Sequence, residues 1–156
     1  MLIHLITVGQ RLDRWVVEGY TEFSKRLPLE CRLKLVEIPV SKRSRNNDIA
    51  QLINQEGERM LSAIPNNALV VALDEAGKPW STLTLAKNLD DWLHSGRDIA
   101  LLVGGPDGLS TACKAKAELT WSLSNLTLPH ALVRIVVAEQ VYRAWSILKR
   151  HPYHRG

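Results

Sequence analysis

Short apolar runs alternate along this chain with longer segments in which apolar residues return every three or four positions. The runs cover Leu2 to Val8, Leu33 to Ile38, Leu69 to Leu73 and Ile99 to Val103, each bounded by Gly, Pro, Asp or charged residues, and they predict strands. Residues 13 to 27 place Trp15, Val16, Gly19, Tyr20 and Phe23 on one helical face, with Asp13 as the N-cap and Pro28 as the stop. Residues 47 to 63 repeat the pattern through Ile49, Leu52, Ile53, Met60 and Leu61. A third helix is predicted from Ser81 through Leu83, Leu85, Leu89 and Trp92 to a stop at Gly96. VVALD and IALLVGG are apolar without alternation, the mark of strands covered on both faces in a parallel sheet. The expectation is therefore an α/β fold, one domain over residues 1–156, with a mostly parallel sheet flanked by helices.

Beyond Val103 the periods weaken. GGPDGLS demands a tight loop, and Ser110 is placed to cap a helix running through Ala112, Cys113, Ala115 and Ala117. WSLSNLTLPH reads as either a strand or an extended loop ended by Pro129. A last helix, from about Ala131 to Lys149, carries Leu132, Ile135, Val136, Val141, Tyr142, Trp145 and Leu148 on more than one face. Such a helix needs cover on nearly all sides, from its own subunit or from a second one.

Composition narrows the class. A chain of 156 residues with 46% hydrophobic and 23% charged residues has an ordinary globular make-up and enough length for its own core. Cys31 and Cys113 stand alone, without metal-ligand spacing, so neither a disulfide framework nor a metal site is expected, and a reducing cytoplasm fits. MLIHLITVG is too short for a membrane span and lacks a signal-peptide cleavage pattern, so no membrane association is expected.

The net charge of +4 says little until it is divided. Residues 1–47 hold nine basic and five acidic side chains, residues 48–116 hold six and nine, and residues 117–156 hold five and two. Basic excess at both ends, with Lys42, Arg43 and Arg45 in SKRSR and a closing RHPYHR, offers a polyanion-binding face, although short basic clusters are also ordinary surface.

In an open parallel sheet a ligand sits beyond the carboxyl ends of the strands, which here selects Leu73 to Gly77 and Val103 to Gly108. GGPDG matches neither the Walker A loop nor the dinucleotide fingerprint, and it serves equally as a tight turn closing a strand. Asp74, Glu75 and Asp107 are candidates for paired-acid chemistry, with nothing to set their separation. Ser110 and Ser122 lack a nucleophile elbow. His130 is a candidate proton acceptor or a helix cap, and His151, Tyr153, His154 and Arg155 form an aromatic and basic tail suited to stacking on a base and binding phosphate.

Seven stretches in order, SKRSRNNDI, EGERML, LDEAGKPWST, LLVGGPDGLS, WSLSNLTLPHALVR, AEQVYRAWSI and HPYHR, together resemble the ribosomal RNA large subunit methyltransferase H family across essentially the whole chain. That family is one of the SPOUT, or α/β-knot, methyltransferases. The resemblance implies a C-terminal trefoil knot, a homodimer, and S-adenosyl-L-methionine as the methyl source for N3 of a pseudouridine in 23S rRNA, within the ribosome. It implies a cofactor site at Leu73, Gly104, Leu123, Ser124, Asn125, Leu126, Thr127 and Leu128, Asn125 contributing its backbone. His130 is then the candidate proton acceptor, with Arg143, Tyr153, His154 and Arg155 gripping the RNA or stabilising the developing anion. The N-terminal arginine motif of the ribose-methylating relatives has no counterpart here, which favours a base as target. A SPOUT enzyme acting on transfer RNA and a non-catalytic ribosome-binding α/β protein are the other readings.

Overall fold

The computed structural model describes residues 1–42 and 48–156. Five strands, β1 (Leu2–Val8), β2 (Arg32–Ile38), β3 (Leu69–Pro79), β4 (Ile99–Val103) and β5 (Leu119–Ser122), form one parallel sheet in the order β2-β1-β4-β3-β5. All five residues of β4 are buried, as are six of the seven in β1. Their side chains divide between two cores. Ile3, Leu5, Val71, Ile99 and Leu101 pack on one face, and Ile6, Val8, Val70, Ala72, Ala100 and Leu102 on the other. Cover on both faces is why these strands read as unbroken apolar runs.

Helices α1 (Arg14–Ser24), α3 (Thr82–Ser95) and α5 (His130–Leu148) lie on the first face, with α5 packed between the other two. Helices α2 (Ile49–Ala63) and α4 (Thr111–Lys116) pack together on the second. The helix ends follow local chemistry. Ser81 Oγ accepts the Thr84 N–H at 3.1 Å, Ser110 Oγ accepts that of Cys113 at 3.1 Å, and Gly96 closes α3 in the left-handed region at φ 73°.

The structure departs from the sequence expectations in detail. Asp13 precedes α1 without a capping hydrogen bond from its side chain, and α1 ends at Ser24, followed by a single 3-10 turn at Leu29–Cys31. Asp48, which the pattern passes over, caps α2 through the Ala50 N–H at 3.0 Å. The largest difference is β3, which runs six residues past Leu73 to Pro79, with a register shift against β5 that leaves 74–77 bulging from the ladder. Polar and glycine residues hide that extension, because the far half of the strand lies at an edge and carries little apolar side chain. WSLSNLTLPH resolves into a strand end followed by an irregular segment, 123–129.

Candidate active site

Because β3, β4 and β5 are parallel neighbours or next neighbours, their carboxyl ends deliver three segments to one edge of the sheet: the bulge at 74–77, the glycine loop at 104–109 and the segment 123–129. They enclose a cleft of about 780 Å³. Leu73, Gly104, Leu123, Ser124, Leu126, Thr127 and Leu128 all line it, and Asn125 is exposed outside the lining.

The glycine loop is shaped by contact with itself. The Gly108 N–H donates to the Gly105 carbonyl at 3.0 Å, and a Cβ on Gly104 would lie 2.4 Å from the Gly108 carbonyl carbon and 2.7 Å from the Leu109 nitrogen. Only a residue without a Cβ fits there. Across the cleft, the Ser122 hydroxyl donates to the Ser124 carbonyl at 3.2 Å and the Leu126 N–H donates to Ser124 Oγ at 2.9 Å, so two serines brace the 123–128 segment, which Leu123 anchors on the core. Trp121 forms part of the wall, stacked on Trp80 with ring centres 4.9 Å apart, and its buried indole N–H has no partner among the described residues. Asp74, Glu75 and Asp107 line the cleft as well, with Asp74 engaged by Lys114 at 3.3 Å and by the Ala76 N–H at 3.1 Å.

His130 opens α5 and closes the same cleft from the helix side. Burial, and then the Arg134 guanidinium, hold its imidazole below the usual histidine pKa, so it is neutral at physiological pH. Arg134, one turn on and only 2% exposed, donates through Nη1 to Glu37 of β2 at 2.9 Å and through Nη2 to the Gly9 carbonyl at 2.8 Å. It pins the ends of β1 and β2 to the start of α5. Sequence reasoning passed over Arg134; the signal was a cation four residues after His130 in an otherwise apolar helix, where a charge survives only if paired.

The remaining predicted residues gather elsewhere. Arg143 Nε donates to Glu139 Oε1 at 2.7 Å, the Tyr153 hydroxyl donates to the same oxygen at 3.1 Å, and Arg143 Nη1 lies 3.2 Å from His154 Nδ1. The Arg143 guanidinium sits over the Tyr153 ring, 4.7 Å from its centre. Burial first, then the bond to Glu139, raises the Tyr153 phenol above its ordinary pKa. Arg155 is exposed beside this cluster. Glu139 lies nine positions beyond His130, a rise of about 13 Å along α5, so within this chain the tail cluster and the cleft are separate. Glu139 is the hub of that cluster and was absent from the sequence-derived set.

The basic cluster SKRSR is described only at Ser41 and Lys42; Arg43 and Arg45 lie outside the described residues. Among the described residues no group of His, Cys, Asp and Glu is assembled to hold a metal ion, and no helix is long and apolar enough to cross a membrane.

A family model described as "Predicted SPOUT methyltransferase" matches residues 1–154. Proteins named Ribosomal RNA large subunit methyltransferase H from Thioalkalivibrio sulfidiphilus and Methylococcus capsulatus are 61% and 57% identical over 99% of this chain, which spans 99% and 100% of their lengths. Among solved structures, a probable methyltransferase from Bordetella pertussis shares the fold at 14% identity, with a TM-score of 0.56 over 91% of this chain and 95% of that one. A probable methylase family protein from Haemophilus influenzae does so at 14% identity and 0.55, over 99% of this chain and 70% of its own. The match over nearly the full length in sequence, joined to a parallel sheet whose last three strands build a glycine-lined cleft, establishes that the chain belongs to the SPOUT methyltransferases, in the ribosomal RNA large subunit methyltransferase H family.

Proposed function

We propose that this protein methylates N3 of a pseudouridine in 23S rRNA, using S-adenosyl-L-methionine, and that it acts on the assembled ribosome as a cytoplasmic homodimer with a C-terminal knot. The observation that carries the reading is the cleft itself, where three backbone-rich segments converge under a wall of leucines with His130 at the rim. A cleft of this kind suits an adenosine moiety, since backbone N–H and carbonyl groups read the adenine edge while Leu73, Leu123 and Leu128 enclose its faces. Gly104 fits the same occupant by keeping the loop thin.

When bound, S-adenosyl-L-methionine supplies a sulfonium methyl group that is transferred as its carbon–sulfur electron pair passes to sulfur. The chain's own contribution is to position and to manage charge. The target imide must lose its proton, and His130 is the titratable group at the cleft's helix side for handling that proton or the charge left behind. Arg143, Tyr153, His154 and Arg155 grip the RNA. Since they are remote from the cleft of their own protomer, the second subunit's tail completes the site. The exposed apolar side chains Trp15, Val17, Leu126 and Leu132 are surface for that subunit to cover. The knotted path is supported by the strand order, in which the chain crosses β3 to form β5 before α5 returns to pack between α1 and α3.

The test is to map modified nucleotides of 23S rRNA in a strain deleted for the gene and complemented with His130→Ala. Loss of one methylated pseudouridine on deletion, restored by the wild-type chain only, is expected. An unchanged 23S map with a methyl group lost from transfer RNA would overturn the choice of substrate. No detectable calorimetric binding of S-adenosyl-L-methionine would favour a non-catalytic ribosome-binding protein. Near-normal methylation by His130→Ala would remove His130 from the chemistry.

A further inference from the structure

Two buried nitrogens beside the cleft lack a hydrogen-bond partner among the described residues, and they stand one helical turn apart: Nδ1 of His130 and Nε of Arg134. Both side chains reach the same place. A point one Cβ length off Gly9 lies 3.4 Å from Arg134 Nη2, 3.5 Å from His130 Cε1 and 3.8 Å from His130 Nδ1. Arg134 Nε carries a hydrogen at every accessible pH and is only ever a donor. The Nδ1 of a neutral imidazole is either a lone pair or a second N–H. Only the lone pair is compatible with the neighbouring cation, because a buried N–H facing a guanidinium has no acceptor and meets like charge. With Nδ1 bare, the proton of the neutral ring resides on Nε2. That nitrogen is not sealed in, and it bonds to no described residue.

We propose that Arg134 is a positioning residue that holds His130 as a neutral imidazole protonated on Nε2, so that His130 meets the methyl acceptor as a hydrogen-bond donor and does not take its proton. The proposal rests on the cleft being the methyl-transfer site. The surroundings point the same way from each element packed there. On α5, Arg134 and the positive end of the helix disfavour a second proton on the ring. Glu37 of β2 is committed to Arg134, and Tyr20 of α1 faces Arg134 as a neutral phenol held well above its usual pKa by burial. Asp74 and Glu75 on the bulge of β3, Asp107 on the glycine loop and Lys114 on α4 line the cleft, and none of them donates to or accepts from the ring.

The chemistry balances without a proton on Nδ1. The N3–H bond of the imide breaks and its proton passes to water, leaving an electron pair shared by N3 and the two flanking carbonyl oxygens. The Nε2–H donates to one of those oxygens, which stabilises the anion. The pair on N3 forms the bond to carbon as the carbon–sulfur pair goes to sulfur, and the imidazole ends as it began.

Long-range proton–nitrogen correlation of the histidine rings in the full-length protein reads the tautomer directly. Expected is His130 with a protonated Nε2 and an unprotonated Nδ1, moving toward the mixture of a free imidazole in Arg134→Met and less so in Arg134→Lys, which keeps the charge. A ring protonated on Nδ1 in the wild-type protein overturns the proposal, whichever variants fold. A second test uses His130→Gln, whose amide nitrogen reaches the place of Nε2 as a donor that cannot take up a proton. His130→Gln is expected to methylate ribosomes within about tenfold of the wild type, while His130→Ala loses about a hundredfold or more. Equal loss in both variants overturns the donor role. Failure of calorimetric S-adenosyl-L-methionine binding in the wild-type protein would sink the functional reading instead, with the tautomer still decided by the ring correlation.

Discussion

The two ends of α5 hold two arginines in opposite situations. At the first, Arg134 is buried and its charge is spent on structure, bonded to Glu37 and the Gly9 carbonyl at the closed edge of the sheet. At the second, Arg143 is part-exposed and shares a carboxylate, Glu139, with the tail residue Tyr153, while its Nη1 reaches His154. The first is a clamp whose partners come from strands far away in sequence; the second is a surface cluster assembled from one helix and the eight residues after it. A clamp is costly to break and offers little to a ligand. The tail cluster is cheap to rearrange and carries the donors a phosphate needs. The residues singled out for catalysis therefore belong to two devices, and within one chain they do not meet.

The sharpest way to break that division is to mix protomers. His130→Ala chains and chains carrying Tyr153→Ala, His154→Ala and Arg155→Ala are each expected to lose methyl transfer by about a hundredfold or more. Co-refolded in equal amounts they should recover about a quarter of wild-type activity, the share of intact sites that random pairing in a two-fold dimer produces. No recovery would mean that cleft and tail act within one protomer.

Gly104→Ala comes next. Its Cβ would collide with backbone of the same loop, which cannot move aside as a flexible side chain would. Affinity for S-adenosyl-L-methionine should fall by about tenfold to a hundredfold, the equivalent of the 1–3 kcal/mol typical of overpacking. Calorimetry measures it, and unchanged affinity would place the cofactor elsewhere.

Arg134→Met leaves the Glu37 carboxylate and the Gly9 carbonyl without their donor, so it should lower stability by about 2–4 kcal/mol in urea denaturation. Arg143→Met, at the other end of the same helix, should cost under about 1 kcal/mol because its ion pair is accessible to water. Equal losses at the two positions would erase the contrast between clamp and cluster.

The smallest effect concerns acid. The folded pKa of His130 lies below its unfolded value, so the unfolded chain binds the extra proton more readily. Its contribution to stability is therefore complete above the unfolded pKa, about 6.5. It is lost as pH falls from there toward the lower folded value. His130→Gln should flatten that part of the stability curve, measured by thermal melts across the acid range; an unchanged slope would show that His130 titrates normally.

Much of the fold was legible because it rests on local pattern. The apolar runs at Leu2 to Val8 and Ile99 to Val103 coincide with β1 and β4, the strands buried on both faces, and the serines before α3 and α4 cap as their side-chain chemistry predicts. The far half of β3 was not legible, since an edge segment that bulges at 74–77 has neither alternation nor a continuous apolar run to announce it. The cleft was half legible. Glycines and strand ends marked where the loops had to lie, but the serine hydrogen bonds that hold 123–128 in place form between groups of low intrinsic preference.

By itself the sequence determined the α/β class, the positions of nearly all the elements and a family membership carried by motifs spread over the whole chain. Periodicity and capping act over a few residues, and motif order survives in one dimension. Tertiary structure alone decided that Gly9, Glu37 and Arg134 form one clamp, that His130 stands beside it with a buried Nδ1 bonded to no described residue, and that Tyr153 and His154 lie with Glu139 and Arg143 away from the cleft. Those are contacts between residues up to 125 positions apart. Which distant groups share a carboxylate or an orphaned nitrogen depends on how the strands are ordered in the sheet, and no local preference records that order.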